Sequence, residues 1–294
     1  MKEEKINITV IDVLLLLTVA AIGAFLAYRV TAGLHYKWNW PAIPQYLFRY
    51  DTDSMRLVPN VLMDGLLMTV RLSIWGTVIA TAVGLFMGLL RVSRGLFGRL
   101  VGLTYVECVR NIPPLVLIFI FYYFISDQIF ALVDIDLVMN SQPEWCRSLF
   151  ELFCAPVPQC SAFMSAVITL AILEGAYITE IIRAGIQSIE KGQFEASSAL
   201  GLSRWQTMRH IILPQAIKII LPPLAGQFIS TIKDSAIVSV ISIQELTFQG
   251  MELMSATYLT FECWITITVL YLVLTGFLSL GVSHLETRMK RNEI

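Results

Sequence analysis

The sequence predicts an all-α protein, a polytopic bundle of about six transmembrane helices. Three observations predict it. Of 294 residues, 56% are hydrophobic and only 15% charged, whereas a soluble domain carries charge nearer a quarter. The mean hydropathy is +0.70. Apolar runs recur that are long enough to cross ~30 Å of hydrocarbon, which takes about 20 residues. The expected spans are 8–30, 60–90, 102–125, 162–184, 222–243 and 259–283. The net charge of −1 and the lack of a basic cluster give no footprint for nucleic acid.

The first span follows a short charged start, MKEEK. It is long for a signal peptide and lacks a small-x-small cleavage site, so it is expected to be retained. In the loop 31–57, Trp38, Trp40, Tyr46 and Tyr50 suit a membrane–water interface. The second span exceeds the hydrocarbon thickness and must tilt or project. Its Gly84-x-x-x-Gly88 predicts close helix packing. Asp64 and Arg71 are seven apart and share a face expected to point into the protein, because charge facing lipid is costly. In the third span, the paired prolines of Arg110-Asn111-Ile112-Pro113-Pro114 break the helix.

The loop 126–161 holds Cys146, Cys154 and Cys160. In an oxidising compartment two could pair, with one left over. The loop has no histidine, and the spacings are not those of zinc, so no metal is expected. Cys108 and Cys263 fall in spans as small apolar fillers. Glu174 is placed near mid-bilayer, where a carboxylate marks a pathway or a partnered site. Substrate contact and a buried pair with Arg71 or Lys233 both stay open. Glu180 and Arg183, three apart, pair along the helix. The fifth span is taken to begin at Pro222, with 211–221 interfacial. That start puts Lys233 and Asp234 near the bilayer centre. Lysines and arginines gather at 91–99, at 183–218 and in the tail (Arg288, Lys290, Arg291). These segments should be cytoplasmic, and six crossings then put both termini inside.

The stretch 193–214, QFEASSALGLSRWQTMRHIILP, reads as water-facing between two strongly apolar spans. Glu195-Ala196-Ser197, Gly201 six residues after the glutamate, and Leu213-Pro214 resemble the EAA loop of ABC-type importer permeases. The segments GAYITEIIRAGIQSIEKGQ (175–193) and KDSAIVSVISIQEL (233–246) look like the polar amino-acid branch of that family. The resemblance covers roughly 60–285. It implies an N-terminal helix and outer segment (1–57), a permease domain (58–285) whose coupling loop is 185–214, and a cytoplasmic tail (286–294).

The chain has no G-x-x-x-x-G-K-[ST] phosphate loop. It is therefore expected to hold no cofactor and to be a transport subunit rather than an enzyme. ATP and magnesium would be bound by a partner ATPase. A short helix leaving the membrane docks in a partner groove through apolar anchors such as Phe194, Ala199 and Leu202. Glu195, beside Ala196, is favoured near a helix start and meets a partner arginine. Gly201 lets the chain turn, and Pro214 opens the next helix without needing a donor. By analogy, the partners are ATPase subunits, a second permease copy or homologous permease, and an extracytoplasmic amino-acid-binding protein. Lys233, Asp234 and Glu174 at similar depth are candidates for receiving a zwitterion. The alternative is an ion-coupled secondary transporter or channel for small polar solutes that uses the same buried charges. A hydrolase finds no support: there is no H-E-x-x-H or G-x-S-x-G, and His35, His210 and His284 are scattered.

Overall fold

The computed structural model describes residues 9–33, 36–52, 55–126, 128 and 135–291. The charged start, His35, part of the loop 126–161, the side chains of Lys290 and Arg291, and the end of the tail lie outside them. The chain divides into two compact units, one ending at Trp40 and the other beginning at Pro41. The first unit holds helix α1, Val10–Gly33. It is apolar all round, the composition of a helix with no polar face to show water.

Near its start, after a short helical turn at Pro44–Leu47, the second unit carries a hairpin that the sequence reading did not anticipate. Strands β1 (Phe48–Asp51) and β2 (Arg56–Pro59) run antiparallel, with Phe48 opposite Pro59 and Asp51 opposite Arg56. Helix α2 follows, Val61–Val92. Its buried face carries a stripe of small residues, Gly65, Thr69, Ser73, Gly76, Ala80, Gly84 and Gly88, spaced by three or four. A stripe without bulk lets another backbone approach. That neighbour is α6, Cys160–Gln187. A Cβ on Gly84 would stand 2.6 Å from Ile178 Cγ2, and one on Gly88 2.8 Å from Ile182 Cγ2.

Helix α3 (Leu96–Asn111) and helix α4 (Pro114–Phe119) meet at a 111° bend. Pro113 and Pro114 cause it, since neither offers a backbone N–H and the residue before a proline is pushed out of the helical region. The expected single crossing at 102–125 is thus a broken one. Arg110 at the bend lies over the ring of Tyr177, 5.2 Å from its centroid. In the outer loop, α5 (Glu144–Phe153) presents Trp145, Leu149 and Leu152 outward, and its Phe153 carbonyl accepts from Trp75 Nε1 at 3.0 Å. Cys146 and Cys154 carry free thiols. Burial pushes the Cys154 thiol up.

Among the described residues, four helices are long and apolar enough to cross a membrane, or five with the bent pair. Helix α1 contributes a shorter apolar stretch, Val10–Phe25. Helix α6 is the centre of the bundle: 72% of its apolar window is buried, against 6% for the last helix, α11, Thr260–Arg291. The core runs along α6 in two clusters. Phe163, Val167 and Leu170 meet Met68, Leu72, Ile118 and Val238 at one end. Ile178, Ile182 and Ile186 meet Ala80, Ile212, Ala216 and Ile220 at the other.

Two expectations are corrected. The fifth span does not start at Pro222. One helical stretch runs from Arg204 to Ile241, made of α8 (Arg204–Thr207), a π-helical turn (Met208–Ile212), α9 (Leu213–Asp234) and a 3-10 turn (Ser235–Ile241). Pro222 and Pro223 lie inside α9. Pro214 does sit in the first turn of α9, directly after the π-helical turn. Second, Asp64 does not point into the protein. It is exposed in the first turn of α2, where the helix N-terminus favours a carboxylate.

Candidate functional site

The water-facing stretch folds as an elbow. Helix α7 spans Lys191–Ala199 and ends where Gly201 takes φ +71°. The Leu202 N–H donates to the Ser197 carbonyl at 3.1 Å, and the Gly201 N–H donates to Ser198 at 3.0 Å. These two bonds satisfy carbonyls that the helix end leaves free, and they need the left-handed residue between them. One residue later, Ser203 starts α8. Its Oγ accepts from the Gln206 N–H at 3.3 Å, and Gln206 Oε1 accepts from the Ser203 N–H at 2.8 Å. A helix stop and a capping box thus stand three residues apart and fix the turn on both sides.

The predicted elbow residues divide by direction. Glu195 and Ala196 are exposed, as is Ala199. Glu195 sits in the middle of α7 rather than at its start. Phe194 turns inward and packs with Met208 against Ile186, Ile189 and Ile212. Its contribution is to hold α7 to the bundle. Leu202 is half-buried. The apolar side chains that do face outward are Leu200, 77% exposed, and Trp205, 68% exposed. The sequence reading passed over both. The signal was available: they flank the glycine, where the chain turns and side chains splay out.

A salt-bridge cluster sits on the α6 side of the elbow. Arg183 donates through Nε to Glu180 at 2.9 Å and also reaches Gln187. Arg91 from the end of α2 closes on the same Glu180 carboxylate. The intrahelical pair expected from spacing is present, with a third member that only the fold supplies.

The second candidate lies halfway along α6. Glu174 is fully buried. Its Oε2 accepts from Gln227 Nε2 at 2.6 Å. Its Oε1 makes no hydrogen bond among the described residues, and the Asp234 carboxyl is near enough to interact with it electrostatically. The fold therefore joins Glu174 to Asp234 and Gln227, not to Arg71 or Lys233. Lys233 is exposed, because adjacent residues on a helix point about 100° apart. Since α6 and α9 meet here, Asp234 shares the depth of Glu174, and the earlier start of the helical stretch lengthens its elbow end.

A buried carboxylate that the sequence reading assigned no role is Glu245. It caps α10 (Leu246–Thr257), accepting from Thr247 N at 2.9 Å and Phe248 N at 2.8 Å. Tyr271 Oη adds a bond at 3.0 Å. Burial outweighs these donors and pushes the carboxyl up to about 7.

The family described as binding-protein-dependent transport system inner membrane component matches residues 80–291. The glutamine transport system permease protein GlnP of Escherichia coli K12 is 35% identical over 259 residues, 87% of this chain and 99% of that one. The probable glutamine ABC transporter permease protein GlnM of Bacillus subtilis 168 is 34% identical over 233 residues, 79% and 95% of the two chains. A crystal structure of an amino acid ABC transporter with histidines superposes with a TM-score of 0.66 at 33% identity, over 86% of this chain and 100% of that one. The chain belongs to the family of binding-protein-dependent transport system inner membrane components.

Proposed function

We propose that this chain is the permease subunit of an ATP-driven importer of polar amino acids, working by alternating access. The observation that carries this reading is the elbow: α7, Gly201 and α8 form a rigid, doubly capped projection with Glu195, Leu200 and Trp205 on its outer surface. A projection of this kind transmits force from a separate motor. The similarity to glutamine permeases supports the substrate class, and the full-length match to importer subunits favours this reading over an ion-coupled carrier.

In this account the permease domain is 58–285, with the coupling loop 185–214 and both termini cytoplasmic. ATPase subunits bind ATP and magnesium and grip the elbow. A second permease faces the first across the pathway, and a soluble receptor delivers solute from outside. Phe194 and Pro214 set the position of the elbow, Gly201 and Leu202 its bend, and Glu195 and Ala196 its contact. The Glu174–Asp234 pair, beside Lys233, receives the ammonium end of a zwitterion, because two neighbouring acidic groups attract a cation more strongly than either does alone.

Reconstitution tests both levels. Proteoliposomes holding the chain with its ATPase and receptor should take up an amino acid only with ATP, and the chain alone should show no uptake under an ion gradient. Gradient-driven uptake by the chain alone would remove the importer reading. Glu174→Gln and Asp234→Asn should reduce uptake while leaving the ATPase bound. Unchanged uptake in both would remove the carboxyl pair from the pathway.

A further inference from the structure

The elbow-side end of the bundle carries a cavity, lined in part by the coupling loop, to which the coupling role assigns no ligand. It has a volume of about 660 Å³ and lies where the end of α2, the start of α3 and the end of α6 come together. Arg91, Arg94, Arg99 and Lys191 line it, and no acidic side chain does. Arg91 is partly neutralised from beneath by Glu180. Arg94, Arg99 and Lys191 are exposed, and none of them makes an ion pair among the described residues. Three cations around one hollow repel one another unless an anion sits among them.

The surroundings say which kind of anion. Arg99 sits on α3 between Leu96, three residues before it, and Leu103, four after it, so all three share one helix face. Leu96 is 66% exposed and Leu103 39%, and neighbouring Phe97 is 82% exposed. A guanidinium set in an exposed apolar stripe, at the end of membrane-crossing helices, is the arrangement of a side chain at the headgroup level. A free anion needs the cations alone, whereas an amphiphile uses both surfaces.

We propose that this cavity binds the phosphate headgroup of an anionic phospholipid, with the acyl chains lying along Leu96, Phe97 and Leu103. Taking the occupied leaflet to be the cytoplasmic one rests on the orientation proposed above; the binding itself does not. The site places a lipid headgroup against Lys191 and Phe194 at the root of the elbow, so membrane charge bears directly on the position of α7.

The purified full-length chain, with no ATPase and no transport assay, tests it. The chain is placed in nanodiscs of phosphatidylcholine with increasing phosphatidylglycerol, and retained lipid is counted by native mass spectrometry. Saturable retention of phosphatidylglycerol is expected. Arg94→Gln/Arg99→Gln should weaken it roughly 25-fold, from two cations each contributing about a factor of five at a membrane surface. Arg94→Lys/Arg99→Lys should retain most of it, which separates charge from misfolding. Inorganic phosphate at tens of millimolar should not displace the lipid. Equal retention by wild type and the Gln pair would overturn the proposal. Displacement by phosphate would overturn it in favour of a soluble anion, and loss of retention in the Lys pair would show that charge is not the cause.

Discussion

Gly201 is the point where the elbow is most exposed to a single change. Its φ of +71° lies in the left-handed region, and no atom stands within 4 Å of where a Cβ would go. The cost of a side chain there is therefore backbone strain alone. Alanine costs about 1 kcal/mol in that conformation, asparagine much less because its side chain tolerates it, and valine about 2 kcal/mol once β-branching is added. At 1.4 kcal/mol per tenfold, the bent elbow loses ground to a straightened one by roughly fivefold for Gly201→Ala and roughly 25-fold for Gly201→Val. ATP-driven uptake in proteoliposomes should follow the order Asn, Ala, Val, while thermal melting of the bundle, whose core lies on α6, stays close to wild type. A Gly201→Val chain that melts normally and transports at the wild-type rate would refute the claim that the bend conveys the motor's work.

Three further outcomes follow from packing and charge. Gly84→Ala puts a methyl 2.6 Å from Ile178 Cγ2 and 3.1 Å from the Thr179 amide, so it should cost about 1–3 kcal/mol of stability, partly recovered when Ile178→Ala is added; detergent melting curves would show both. Glu180→Gln leaves Arg91 and Arg183 without their shared carboxylate and should cost about 1–3 kcal/mol, since the three groups are largely shielded from water. The Glu245 carboxyl is raised from 4.5 to about 7 in the folded protein, so the folded state holds the extra proton between these values. Stability should then fall as pH rises from about 4.5 to about 7, by on the order of 3 kcal/mol, and Glu245→Gln should flatten the melting temperature across that window.

Much of this architecture was legible because lipid leaves few choices. Apolar runs of fixed length and the glycine pair at Gly84 and Gly88 report a bundle with close helix contact, and the spacing of Glu195, Gly201 and Pro214 reports the elbow. Three features were hidden for physical reasons. Pro222-Pro223 looked like a helix start, but packing against α6 carries α9 straight through them. Phe194 and Leu200 are both apolar and six residues apart, and only the way α7 lies on the core decides that one faces in and the other out. The contact of Glu174 with Asp234 joins residues sixty apart in sequence, where periodicity within one helix carries no information.

The most direct measurement is cross-linking from the elbow to the ATPase. In a background with the five native cysteines replaced, Leu200→Cys and Phe194→Cys chains would be assembled with ATPase subunits bearing single cysteines along their permease-facing groove. The account predicts a strong bond from position 200 that changes with bound ATP, and none from position 194, whose side chain faces the core. A bond from 194 with none from 200, or no bond from either, would contradict it.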